Sequence, residues 1–420
     1  MIDTDIFIVA VGVILFALVS GQADNRSITG PIVFTGFGLL IGAAGLDLVN
    51  LSIKNEAINI LAEVTLVVTL FCDASRINVT ALTKEHRIPI RLLTIGLPLC
   101  MFAGALVAWG LFPALGFGAS LLLGIALAPT DAALGQAVVS NQAVPQRVRQ
   151  ALNVESGLND GLAYPALLIV ASFVLGSEQM KGAAEWLIFV AEQVILGPLV
   201  GGLIGLAGAI AAEKAKENKW MDEAFSQIIV LGLALAAYAG AGAVGGNGFL
   251  AAFTAGLMVA TRAKHIVKEA ARFGEAEGQL LSLVVFLLFG AILLPDAFTS
   301  GILNWRIWLY AVLSLTVLRM LPVAISLIGA GLRPATIIFI GWFGPRGLAS
   351  ILYVLLLLEQ SDIGIANVVV QIVFASVILS VFAHGLTAMP FARYYADILN
   401  AKTGASENVR VKAFPTRHNS

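Results

Sequence analysis

Apolar runs of bilayer length recur along the whole of this 420-residue chain, and that recurrence limits the fold before any motif is considered. A helix needs about 18–20 predominantly apolar residues to cross the hydrocarbon core of a membrane. Length alone would suit two or three soluble domains. Composition decides against them. The chain is 59% hydrophobic and 12% charged, where soluble domains carry about 25% charged residues, and its mean hydropathy is +0.91. The expectation is one polytopic all-α membrane domain.

Thirteen spans are expected, near residues 6–20, 30–47, 56–73, 89–112, 117–140, 148–176, 185–212, 224–243, 247–262, 279–294, 304–330, 334–357 and 364–390. Long spans such as the sixth, seventh and eleventh must tilt or protrude. With the N-terminus outside, twenty of the 25 basic residues fall in inner segments, and only Lys54, Lys181 and Arg306 in outer loops. This satisfies the positive-inside rule, and an odd number of spans puts the C-terminus in the cytoplasm. Residues 1–5 are acidic and lack the basic flank of a signal peptide, so the first run is expected to be retained. The tail at 397–420 is expected to be short and cytoplasmic, without room for a regulatory domain.

The two remaining basic residues, Arg319 and Arg346, lie inside spans. So do the acids of Asn153-Val154-Glu155-Ser156-Gly157-Leu158-Asn159-Asp160. A charge at the bilayer centre costs from ~3 to more than ~10 kcal/mol, which makes each of these a functional-site hypothesis. Ala128-Pro129-Thr130-Asp131 in the fifth span is echoed by Gly344-Pro345-Arg346-Gly347 in the twelfth, a proline followed by a charge among small residues. Seven spans separate them, so the two segments enter the membrane from opposite sides. Two inverted repeats, each with a broken helix, are the sequence pointer to a midplane transport site. At 1.5 Å per residue, Asp160, Thr130 and Arg346 all reach roughly 20 Å from the start of their spans.

Pro129 leaves a carbonyl of the preceding turn without its helical donor. A freed carbonyl near Thr130, the carboxylates of Asp131 and Asp160 and the Ser156 hydroxyl make an all-oxygen set suited to a hard cation. Ser156 and Asp160 share one helix face, as do Glu155 and Asn159. Arg319 keeps its charge and needs an acid, for which Glu155 is the candidate. Arg346 needs a carboxylate or the C-terminal dipole of a half-helix. Either arginine could instead belong to a purely structural ion pair. Asp73 and Glu63 in the third span could line a cation route or pair locally, and Glu192 suits a structural or interface position. The histidines suggest no catalytic centre. Cys72 and Cys100 suit small core positions, and Gly197, Gly201 and Gly205 suit close helix packing.

Ala-Pro-Thr-Asp at 128–131, Glu-Ser-Gly-Leu-Asn-Asp at 155–160 and Gly-Pro-Arg-Gly at 344–347, in that order, resemble the monovalent cation:proton antiporters. The Asn159-Asp160 pair is similar to the electroneutral sodium/proton exchanger branch. The resemblance implies a homodimer with two crossed broken helices. Its dimerisation part would be residues 1–87 and 184–300, and its core part 88–183 and 301–396. It also implies that Asp160 binds the ion or the proton, with Asp131, Ser156, the Thr130 carbonyl and, as a looser match, Asp73 around it. Glu155 and Arg319 would form a stabilising pair, with Asn159 and Arg346 supporting the site.

Burial favours a protonated carboxyl and a bound cation favours an ionised one, so Asp160 is suited to hold a proton or Na⁺ (or Li⁺), never both. The expected activity is one-for-one exchange by alternating access in a bacterial or archaeal plasma membrane. Its partners are the two ions and membrane lipid, with no cofactor and no nucleic acid. The rival readings are a potassium/proton exchanger or gated cation channel of the same architecture, and a membrane aspartyl protease using Asp131 and Asp160.

Overall fold

The computed structural model describes residues 2–25, 28–48, 56–77, 86–139, 141–174, 183–222, 225–295, 302–360 and 364–400, and within them it is helical without strands. Arg26, Lys54, Lys84 and Lys181 of the loop-charge pattern, and the tail from 401 with His418, lie outside the described residues. The helices are α1 (Ile2–Asn25), α2 (Gly30–Ile41), α3 (Glu56–Ser75), α4 (Arg87–Leu111), α5 (Gly116–Ala126), α6 (Ala132–Val139), α7 (Gln146–Val174), α8 (Ala183–Glu217), α9 (Phe225–Ala243), α10 (Gly248–Arg262), α11 (Lys264–Leu288), α12 (Trp305–Leu315), α13 (Val317–Ser326), α14 (Pro334–Trp342), α15 (Leu348–Gln360) and α16 (Gly364–Asn400).

Local chemistry sets many of these boundaries. Asn247 caps α10 by accepting from Leu250 N at 2.9 Å, and Asn304 caps α12 by accepting from Arg306 N at 3.0 Å. Such caps satisfy amides that the first turn leaves unpaired. Pro334 starts α14 at a position where a missing N–H costs nothing. Before Pro98, α4 passes through a π segment, Leu92–Gly96, in which Leu97 N reaches Leu92 O.

Among the described residues seven helices or helix runs are long and apolar enough to cross a membrane, accompanied by shorter apolar helices. At 29 residues α7 has the length as well, but the polar stretch from Asn153 to Asp160 lowers its hydropathy. Packing falls into two groups. In one, α3 lies on α10 and α11, α8 on α9 and α10, and α2 on α11. In the other, α4 packs on α5, α5 on α7, α12 on α16 and α13 on α14, while α6 and α15 lie on α16. The groups meet where α7 lies against α3 and α10, and α15 against α3.

Glycines set the closest approaches. A Cβ on Gly197, Gly201 or Gly205 would lie 2.6, 2.1 or 2.5 Å from the backbone of Asn247, Ala251 or Ala255, so these glycines seat α8 on α10 as expected. Cys72 and Cys100 are buried and are not joined in a disulfide.

Several expected spans differ in extent. The second stops at Ile41 rather than 47, because Gly42 turns extended where its Cα packs on Ala291. The tenth begins at Lys264 and runs on through a π segment to Leu293. The last reaches Asn400. The eleventh is interrupted at Thr316, with φ −107° and ψ −95°, and ends at Ser326. No proline or glycine announces that interruption.

Candidate functional site

The fifth and twelfth spans are broken where the two prolines stand, and the breaks meet. The Asp131 amide donates to Pro345 O at 2.8 Å. Asp131 Oδ1 accepts from Leu134 N at 2.9 Å, capping α6, and Oδ2 accepts from Leu348 N at the start of α15. One carboxylate thus serves two helix N-termini, where the partial charge is positive. Gly347 makes this possible, since a Cβ there would lie 2.1 Å from Asp131 Oδ2.

Arg346 supplies the opposite compensation. Its Nη1 donates to Ala128 O at 2.7 Å and Pro129 O at 3.0 Å, just beyond the C-terminal end of α5, and Nη2 to Ser314 O at 3.5 Å in the last turn of α12. The half-helix dipole, one of two partners expected for Arg346, is the one the fold supplies. Ser350 Oγ donates to Ala126 O at 2.7 Å. The carbonyls at 126, 128 and 129 are therefore engaged, and Thr130 presents its hydroxyl to the site.

That hydroxyl accepts from Asn159 Nδ2 at 2.8 Å and lies 3.1 Å from Ser156 Oγ. Asp160 follows on the same helix, 4% exposed. Its Oδ1 and Asn159 Oδ1 are buried without a hydrogen-bond partner among the described residues. A buried acceptor left unsatisfied costs about 1–3 kcal/mol, and more if charged. A proton would satisfy the Asp160 oxygen, and a hard cation could be held by oxygens of this kind. Tyr353 OH donates to the Asp160 carbonyl from α15. Further along α7, Pro165 removes the helical donor for Gly161 O, which accepts instead from Asn247 Nδ2 at 3.3 Å. A small pocket, with room for about one water, lies between α6, the first half of α7 and the second break, and Asn153, Ser156 and Pro345 are in its wall.

Glu155 turns away from this cluster. Arg319 Nη1 and Nη2 meet its two carboxylate oxygens at 2.5 and 2.8 Å, and both residues are buried. Gly344 leaves room for the guanidinium, since a Cβ there would lie 2.3 Å from Arg319 Nε. The Asp73 carbonyl accepts from Asn153 Nδ2 at 3.4 Å, a contact that lies about 10 Å along α7 from Asp160 by helix rise. Glu63 accepts from Tyr238 OH at 3.2 Å, and Glu192 is exposed on α8.

Three groups at the breaks were not singled out by sequence reasoning: Tyr353, Ser380 and His384. Each is buried within an apolar helix. A lone hydroxyl in a transmembrane run carries little signal, and His384 reads as a span-end residue until α16 is seen to continue past it.

The family model for the transmembrane region of sodium/hydrogen exchangers matches residues 7–394. An Na⁺/H⁺ antiporter of Saccharomyces cerevisiae is 30% identical over 80% of this chain and 36% of its own length. Na⁺/H⁺ antiporter 2 of Zygosaccharomyces rouxii is 29% identical over 80% of the chain and 44% of its own length. The chain therefore spans less than half of each of these two relatives. A K⁺/H⁺ antiporter of Alkalimonas amylolytica is 26% identical over 97% of the chain and 70% of its own length. Relatives in yeasts as well as in a bacterium do not single out the bacterial or archaeal membrane expected from the sequence. Among solved structures, the sodium proton antiporter MjNhaP1 of Methanocaldococcus jannaschii shares the fold, with a TM-score of 0.72 at 20% identity over 94% of this chain and 99% of that one.

Proposed function

The chain belongs to the sodium/hydrogen exchanger family, a family of transporters rather than enzymes, and from that premise we propose that it exchanges Na⁺ (or Li⁺) for H⁺ by competition for Asp160. The observation that carries this reading is the pair of unsatisfied buried oxygens, Asp160 Oδ1 and Asn159 Oδ1, beside the hydroxyls of Thr130 and Ser156 at the meeting of two helix breaks. Protonated, the Asp160 carboxyl is neutral and can remain buried. Ionised, it needs a cation, and the oxygen donors around it suit a hard one.

The cycle has one titrating charge. Asp131 is engaged by two backbone amides and Glu155 by Arg319, which leaves Asp160 as the carboxyl that takes up the proton or the cation, and one proton is exchanged for one cation. The core part, residues 88–183 and 301–396, moves against a dimeric scaffold of 1–87 and 184–300 and exposes the site to each side in turn. The division of packing between the two helix groups supports this assignment. The N-terminus is placed outside and the C-terminus inside. The small pocket lined by Asn153 and Ser156 then lies on the inner side of the site.

A second reading, K⁺/H⁺ exchange on the same site, draws support from the bacterial relative of that name, which matches nearly the whole chain. Proteoliposomes loaded at one pH and challenged with Na⁺, Li⁺ or K⁺ separate the two. Proton efflux on Na⁺ or Li⁺ addition supports the first reading. Efflux confined to K⁺ supports the second, and conduction without proton coupling removes both.

A further inference from the structure

The second break is tied to α16 at both of its ends. At its far end the Arg346 backbone amide donates to Ser380 Oγ at 2.7 Å. At its near end Trp342 O, which also accepts from Gly344 N at 2.8 Å, lies 2.9 Å from His384 Nε2. Ser380 Oγ and His384 Nδ1 are 3.0 Å apart, one turn from each other on α16. Trp342 Nε1 donates to Thr387 Oγ1 at 3.0 Å one turn further on.

We propose that Ser380 and His384 act as one positioning clamp, which fixes the Trp342–Arg346 break and through it the place of the Arg346 guanidinium on the carbonyls beside the site. Hydrogen-bond directions follow from the partners. Trp342 O and Ser380 O, the latter 3.1 Å from Nδ1, can both only accept. The single proton of the neutral ring sits on Nε2, because Nε2 faces only a carbonyl whereas Nδ1 also has the Ser380 hydroxyl as a donor. In the neutral ring Nδ1 is then an acceptor and takes the Ser380 hydroxyl proton. The hydroxyl in turn accepts from the Arg346 amide, and the relay runs in one direction from Arg346 N–H to Trp342 O. A second proton on the ring would place a further cation beside the buried Arg346 and reverse the Ser380 contact. Both residues are at most 1% exposed, so water does not replace a lost partner cheaply. Arg346 Nη1 reaches the carbonyls preceding Thr130, and a displaced break therefore moves Thr130, whose hydroxyl meets Asn159 and Ser156 at the proposed site. Ser380 and His384 touch no ion. They act through Arg346.

This inference rests on the proposed cation site for its consequence in transport, but its geometry is testable without transport. Hydrogen–deuterium exchange of peptides spanning residues 343–348 is measured on the purified full-length chain for wild type, Ser380→Ala, His384→Ala, His384→Gln and the double alanine variant. Losing one buried hydrogen bond should speed exchange at the Arg346 amide roughly tenfold in either single alanine variant. The double variant should go little further, because the two side chains form one unit. His384→Gln, whose amide N–H can reach Trp342 O and whose oxygen can accept from Ser380, should recover most of the protection. In proteoliposomes the alanine variants should raise KM for Na⁺ several-fold more than they lower turnover, with recovery in His384→Gln. Unchanged exchange at Arg346, additive effects in the double variant, or wild-type KM in a well-folded Ser380→Ala protein overturns the clamp. Should His384→Ala fail to fold, Ser380→Ala, which removes a single hydroxyl, carries the test. Faster exchange at Arg346 in a chain that moves neither Na⁺ nor Li⁺ supports the clamp and removes the sodium reading.

Discussion

Asp131 and Arg346 each compensate the helix ends exposed by the other's break. Asp131 stands in the first break and accepts from Leu348 N, the first amide of the helix that follows the second. Arg346 stands in the second break and donates to Ala128 O and Pro129 O in the first. Two half-helix dipoles are met by side-chain charges of the right sign. Each charge is in turn held by backbone groups, so neither stands as an isolated ion in the membrane.

Asp131→Asn should therefore act mainly as a capping defect. An amide retains one acceptor for Leu134 N or Leu348 N but turns donors toward the other. Loss of one cap costs about 0.5–2 kcal/mol, and thermal unfolding in detergent should show that loss, with exchange weakened but present. Unchanged stability combined with complete loss of cation binding would instead make Asp131 a direct ligand.

Glu155 and Arg319 form a buried bidentate pair, so removing one partner strands the other. Glu155→Gln alone, or Arg319→Gln alone, should cost about 3–5 kcal/mol, and the double replacement should recover part of it. Thermal melts of the three variants make the comparison. A stable Glu155→Gln protein with impaired sodium affinity would place Glu155 in the coordination shell.

Two glycines at the breaks offer a steric contrast. Gly347→Ala would put a methyl group 2.1 Å from Asp131 Oδ2, whereas nothing lies within 4 Å of a Cβ at Gly135 in α6. Gly347→Ala should lower the melting temperature sharply and abolish exchange. Gly135→Ala should fold, with a gain of up to about 1 kcal/mol from helix propensity. Equal tolerance at both positions would show that the meeting of the two breaks is looser than described.

Much of this was legible in the sequence, for a physical reason. A proline in an apolar run removes a donor wherever it stands, so Pro129 and Pro345 located both breaks without coordinates. Buried charge is costly, so Glu155, Asp160, Arg319 and Arg346 stood out, and charge balance proposed Glu155 for Arg319. Backbone as a partner was harder to read. That Asp131 spends both oxygens on amides, and that Ser314 and Trp342 offer carbonyls to Arg346 and His384, depends on where helices end in space. The interruption at Thr316 has no local signal at all. It leaves Ser314 O in reach of Arg346, a tertiary contact that sequence spacing cannot show.

Exchange with a single titrating carboxyl is electroneutral. Initial rates in sealed vesicles, with the potential clamped by potassium and valinomycin, should be unaffected by its sign or size. A clear acceleration by potential would mean that a second group changes charge during the cycle.

The most direct test of the central claim is Asp160→Asn in proteoliposomes, with Na⁺-dependent proton movement and cation binding measured on the same preparation. The amide keeps the size and one oxygen but can neither carry the proton nor supply the negative charge. A buried amide is also less costly than a buried carboxylate, so the variant should fold at least as stably as wild type. The prediction is a folded protein in which both Na⁺ binding and Na⁺-driven proton movement are lost. Exchange of Na⁺ for H⁺ by Asp160→Asn at near wild-type rate would contradict competition for Asp160.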